Sequence, residues 1–244
     1  MTRAGALAVA VLLFAGACSG RANQHQLTVF AAASLSDAFK AMAKPFAAAH
    51  EGYSVTFSFA GSQQLVAQLQ QGAKADAVAT ADRPTMDRVP QQRRRTAVVF
   101  ARNRLVIAVH TGNPDAIHGL ADLARPRLRV VLAAPAVPAG AYARDALTRA
   151  GVDVKPVSLE DSVEGVVTKV GLGEADAGVV YATDATPTRH VDAVAIPAAQ
   201  NVQAQYLAAG LSSGGQQFIS FLLSSRGQAL LRRFGFQPPP PGGR

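Results

Sequence analysis

Leu27-Thr28-Val29-Phe30-Ala31-Ala32-Ala33-Ser34-Leu35-Ser36-Asp37 is the stretch on which the reading of this chain turns. Leu27 to Ala32 is apolar and carries β-branched residues, the pattern of a strand. Phe39, Met42 and Phe46 then recur at helical spacing. A strand therefore runs into a helix through a junction stripped to small residues. Ser34 stands at that junction with Asp37 three positions on, close to a capping box. Two readings are open. The Ser34 hydroxyl caps its own helix, or its hydroxyl and amide face outward, where free N–H groups and the helix dipole favour an anion.

The same kind of junction recurs along the chain. Tyr53 to Ala60 alternates as a strand, and Gly61-Ser62-Gln63 opens a helix striped by Leu65, Val66 and Leu69 and ended by Gly72. Ala75 to Thr80 is a short strand, and Val98 to Val109 a long one around Arg102, Asn103 and Arg104. After a strand at Arg129 to Ala133, Val137-Pro138-Ala139-Gly140 opens a helix that stops at Gly151. Pro138 suits the first helical position, and Ala139 and Gly140 leave the amides uncovered. Glu160-Asp161-Ser162-Val163 opens a helix striped by Val163, Val166, Val167 and Val170. Gly178 to Tyr181, Val191 to Ile196 and Tyr206 to Leu211 read as strands, and Phe218 to Leu231 as a final helix.

This alternation predicts an α/β fold of mostly parallel sheets flanked by helices. Ligands in such sheets sit at the carboxyl ends of the strands, where these helices begin. Several bare helix starts can converge on one anion. No positively charged side chain stands out at them as a countercharge. A dianion would then be held by neutral donors, each charge-assisted bond contributing about 1.5–3 kcal/mol.

Enzyme chemistry finds little support. Gly210-Leu211-Ser212-Ser213-Gly214 matches a nucleophile elbow, but no Asp, Glu or His follows Ser212. His25, His50, His110, His118 and His190 are scattered without metal-ligand spacing. Neither a P-loop nor a dinucleotide fingerprint occurs. No catalytic residue and no cofactor is expected.

The chain has 244 residues, 49% hydrophobic and 16% charged, which is ample for a core. Arg3, the apolar run Ala6 to Ala15 and the small residues before Cys18 read as a secretory signal. Cys18 is the single cysteine, and its setting resembles a bacterial lipobox, with Ala15 where Leu is usual. Two acyl chains on Cys18 would suffice for stable anchoring. The expected layout is a signal peptide over 1–18, a tether over 19–26 and a disordered proline-rich tail over 238–244. No later apolar run approaches the ~18–20 residues of a membrane span. The net charge of +8 suits anionic headgroups or an anionic ligand, while export argues against nucleic acid. Arg93, Arg94 and Arg95 lack interleaved aromatics and read as a solvated face.

These junctions resemble those of the molybdate-binding proteins of ABC transporters. The likeness begins at Leu27 to Leu35 and continues through Ser58-Phe59-Ala60-Gly61-Ser62 and from Ala75-Asp76 to Ala81-Asp82. It resumes at Val137 to Gly140 and at Gly178-Val179-Val180-Tyr181-Ala182-Thr183-Asp184-Ala185, and closes at Phe234-Gly235-Phe236. Gln63 and Gln64 depart from it, since the family commonly places another Ser or Thr there. The resemblance implies a two-lobed, type II periplasmic-binding-protein-like fold with the anion in the interlobe cleft. One lobe would take residues 27–102 and 211–237, the other 103–210. It implies molybdate ligation by the hydroxyls and amides of Ser34 and Ser62, the amides of Ala139 and Val163, and the Tyr181 hydroxyl. It also implies a monomer that serves an ABC permease and its ATPase from the outer face of the membrane, with tungstate as a second ligand. Another tetrahedral oxyanion, sulfate or phosphate, is the alternative within the binding class. Effector domains of transcriptional regulators share the two-lobed fold, but the leader and the lack of a helix-turn-helix count against that reading. An enzyme on this fold stands further off.

Overall fold

The computed structural model describes residues 25–186 and 189–241. The expected signal peptide with Cys18, residues 19–24 of the expected tether and residues 242–244 lie outside the described residues.

Strand β1 (His25–Ala32) starts two residues before the apolar run, because His25 and Gln26 pair with Tyr53 and Ser54 of β2 (Tyr53–Ala60). The expected tether is thus shorter. Between them lie a 3-10 turn (Ala33–Leu35) and α1 (Ser36–Ala49). Next come α2 (Ser62–Gln70), β3 (Ala77–Thr80), α3 (Arg83–Asp87) and the long β4 (Val98–His110). They are followed by β5 (Val130–Ala133), α4 (Pro138–Ala150), β6 (Ser158–Glu160), α5 (Val163–Gly171) and β7 (Ala177–Tyr181). The chain closes with β8 (Val191–Ala195), β9 (Gln203–Gly210), α6 (Ser213–Leu223) and α7 (Ser225–Arg233).

The strands run in the order β2-β1-β3-β9-β4-β7-β5-β6, with β8 also on β4. Two parallel trios, β2-β1-β3 and β7-β5-β6, flank an antiparallel centre of β9 and β4. Parallel neighbours need crossovers, which the intervening helices supply. Strand β4 serves both halves: Val98 to Arg104 pairs with β9, and Leu105 to His110 with β7 and β8. The lobe boundary expected at 210/211 falls at the end of β9, yet β9 is already bonded to β3 from Leu207 onward.

The α1 stripe is buried as its spacing predicts. Phe39 and Phe46 meet Phe218 of α6 edge-on at 5.5 and 5.4 Å. Val166, Val167 and Val170 of α5 are likewise buried. The helix expected over Phe218 to Leu231 is instead two. At Ser224 the backbone turns extended (ψ 163°), and the Gly227 N–H donates to its hydroxyl at 3.2 Å. The elbow-like Ser212 is a cap as well: it accepts from the Gly215 N–H at 3.0 Å and donates to Asp76 Oδ1 at 2.7 Å.

Two surface expectations need correction. Arg93 and Arg94 are half-buried, and only Arg95 is exposed. The Arg93 guanidinium donates to the carbonyls of Leu69 and Ala73 at 2.6 and 2.9 Å, which ties it to the C-terminal end of α2 and the turn that follows. The tail is held at its start, where Arg102 Nε donates to the Pro238 carbonyl at 2.8 Å and Gln237 pairs with Arg102.

Candidate anion-binding site

Six chain segments end or begin at one small cavity. Ala32, Ala33 and Ser34 come from the end of β1, Gly61 and Ser62 from the start of α2, and Ala81 from the end of β3. The other half contributes Val137, Pro138 and Ala139 at the start of α4, Ser162 and Val163 at the start of α5, and Tyr181 at the end of β7. All five residues expected to bind the ligand are therefore brought together: Ser34, Ser62, Ala139, Val163 and Tyr181. The space free of atoms there, open solvent included, is about 210 Å³. A wider cleft of about 1260 Å³ opens on the far side of Ser34, past Asn103, Arg104 and Arg233, but it contains none of the other four residues.

Among the described residues the cavity wall carries donors and no charged side chain. The first N–H groups of a helix have no acceptor within it. Ala139 and Val163 are the second residue of α4 and the first of α5, so their amides belong to this set. Three helices, α2, α4 and α5, start at the wall and add the positive ends of their dipoles. Ser62 is 2% exposed, and its Oγ accepts from the Ala81 N–H at 3.1 Å. Its own proton is left for the cavity.

Ser34 does not cap a helix. No side-chain cap is made at this junction, and Ser34 Oγ lies 2.9 Å from the buried Tyr206 hydroxyl. Tyr181 is 1% exposed, and its hydroxyl has no hydrogen-bond partner among the described residues. A buried polar atom without a partner is uncommon and calls for an explanation. Burial holds the Tyr181 phenol well above its ordinary range, so it remains a donor. Two acidic groups that act on Tyr181, Asp82 and Asp184, are themselves raised, chiefly by burial, which favours their neutral forms.

Gly140 has a closer reason than uncovered amides. A Cβ there would overlap the carbonyl oxygens of Ala133 and Ala134. Only glycine lets the first turn of α4 approach the end of β5 and carry the Ala139 amide to the cavity.

Bridges close the two halves over the site. Gln63 Nε2 donates to the Asp161 carbonyl at 2.8 Å. Arg189 donates to Asp37 of α1 at 2.8 Å and to Glu164 of α5 at 2.8 and 2.9 Å. Gln63, where the sequence leaves the family pattern, is thus a cross-cleft contact. Arg189, Asn103 and Tyr206 were not singled out as site residues from the sequence. Tyr206 had one readable signal, a tyrosine inside an apolar strand, whose hydroxyl needs a partner when buried. Among the described residues no group of three or more His, Cys, Asp or Glu is placed to hold a metal ion.

Known proteins resemble this chain in sequence and in fold. The chain is 40% identical over 223 residues to the molybdate-binding protein ModA of Mycobacterium tuberculosis H37Rv, covering 88% of this chain and 85% of that one. It is 30% identical to ModA of Escherichia coli K12, covering 93% and 95%. In fold it matches the periplasmic molybdate-binding protein of Azotobacter vinelandii with a TM-score of 0.73 at 20% identity, covering 87% and 99%. It matches the sulfate-binding protein SubI of M. tuberculosis with a TM-score of 0.76 at 19% identity, covering 88% of each. The model of the bacterial extracellular solute-binding protein family matches residues 27–237, and the chain belongs to that family.

Proposed function

We propose that this chain captures molybdate between its two halves and delivers it to an ABC importer, binding without covalent chemistry. The observation that carries this reading is the Tyr181 hydroxyl, buried without a partner at a cavity that Ser34 and Ser62 also line. A tetrahedral dianion supplies the acceptors these donors lack. The relatives named as molybdate-binding proteins favour molybdate among such ions. Tungstate has the same shape and charge and is expected to share the site. The ligand set is Ser34, Ser62, Ala139, Val163 and Tyr181.

Capture follows from closure. With the halves apart, each carries only part of the donor set. Oxygens of one ion reach donors of both halves only when the halves meet, so the ion shifts the population to the closed form. The Arg189–Asp37 pair leaves Asp37 with 54% of its side chain exposed, and such pairs contribute only about 0.2–1 kcal/mol. A latch this light lets the ligand decide closure and lets the importer reopen the cleft. The permease and its ATPase are the partners. The chain acts as a monomer at the outer face of the membrane, exported by its leader and anchored through Cys18. Among the described residues no helix is long and apolar enough to cross a membrane.

Isothermal titration of the purified protein tests the assignment. Molybdate and tungstate bind tightly, sulfate more weakly because it is smaller than the cavity, and phosphate most weakly because its proton finds no acceptor. Sulfate binding as tightly as molybdate would move the assignment to a sulfate receptor.

A further inference from the structure

We propose that Asn103 and Tyr206 order the protons behind the cavity, fix Ser34 as a donor and thereby set the preference for fully deprotonated oxyanions. The inference rests on the oxyanion reading above and adds two positioning residues to it.

The order can be traced from the backbone. The Arg104 N–H donates to Asn103 Oδ1 at 2.9 Å, which fixes which end of the amide is the acceptor. Asn103 Nδ2 can then only donate. It gives one proton to Thr183 Oγ1 at 2.9 Å, which leaves its second amide proton to act on the Tyr206 phenol, where Asn103 lowers the phenol's pKa against the effect of burial. Tyr206 Oη therefore accepts from Asn103, and its own proton goes to Ser34 Oγ at 2.9 Å. The opposite order would leave the Tyr206 proton without that acceptor in a residue that is 0% exposed, and an unmade buried bond is costly. With Ser34 Oγ accepting from Tyr206, the Ser34 proton is turned toward the cavity.

Ser62 is set the same way by the Ala81 N–H, and Tyr181 has its proton free. All three hydroxyls then present protons. A fully deprotonated oxyanion matches this set. A hydrogen phosphate brings a proton of its own, and a hydroxyl already committed as donor opposes it. Loss of the Tyr206 oxygen releases Ser34 to rotate and accept.

Tyr206→Phe removes that one atom. It keeps the ring among Tyr181, Phe236 and Phe100, at 5.6, 5.3 and 6.2 Å. Wild type, Tyr206→Phe and Asn103→Ala are titrated with molybdate, sulfate and phosphate, with phosphate measured by competition. In Tyr206→Phe, molybdate and sulfate weaken about tenfold while phosphate does not, so the molybdate-to-phosphate ratio narrows about tenfold. Asn103→Ala shifts the ratio the same way without altering Tyr206 or Ser34, and decides the matter alone if Tyr206→Phe does not fold. Parallel weakening of all three ions, or an unchanged ratio, would overturn the relay while leaving oxyanion binding in place. Failure of wild type to bind any of the three would instead bring down the oxyanion reading, and the relay with it.

Discussion

Replacing Tyr181 by Phe weakens molybdate binding about tenfold to a hundredfold and, in the same protein, raises the melting temperature of the ligand-free form by about 2–4 °C. Both signs come from one atom. With the halves together the Tyr181 hydroxyl is buried without a partner among the described residues, so whenever the protein closes empty it bears that desolvation penalty. Removing it relieves about 1 kcal/mol, while the ring stays packed against Tyr206 at 5.6 Å and Tyr142 at 6.5 Å. With an anion present the same hydroxyl becomes a charge-assisted donor, and its loss is felt in full. Calorimetry of the empty protein and titration of the same preparation provide the check. A destabilised variant with unchanged affinity would place the hydroxyl outside the ligand site. The residue is poorly suited to the empty state because it is built for the filled one.

Gly140→Ala carries the largest expected cost to the fold, about 3 kcal/mol, together with a loss of molybdate affinity of at least several-fold. The added Cβ meets the carbonyls of Ala133 and Ala134, which are backbone and cannot rotate away. Relief requires the first turn of α4 to move off β5, and that movement carries the Ala139 amide with it. Chemical denaturation measures the first effect, and titration the second. A variant with wild-type stability would show that α4 and β5 are not pressed together as described, and wild-type affinity would remove the Ala139 amide from the ligand set.

Much of the site was legible because its parts are local. Small residues at a strand end followed by a helix start are neighbours in sequence, so the junctions at Ser34, Ser62, Ala139 and Val163 could each be read where they stand. The resemblance then tied them together and added Tyr181, which spacing alone marked only as the end of a strand. The residues behind the cavity were not legible in this way. Ser34 and Tyr206 are 172 positions apart, and nothing in the period of β9 says that it will lie between β3 and β4. That central placement depends on antiparallel pairing across the whole chain, which alternation of strands and helices does not encode. The capping reading of Ser34 failed for the same reason, since a distant tyrosine competes for the hydroxyl. The break between α6 and α7 was hidden because the apolar stripe continues across it. There a Cβ on Gly227 would meet the carbonyls of Phe221 and Leu222, a contact visible only once the turn is made.

Crystals grown with molybdate and measured at the molybdenum absorption edge test the central claim most directly. The account predicts one anomalous peak in the cavity, its surrounding oxygens within hydrogen-bond distance of the hydroxyls of Ser34, Ser62 and Tyr181 and the amides of Ala139 and Val163. A cavity without the peak, or a peak in the wider cleft beside Arg104 and Arg233, would contradict it.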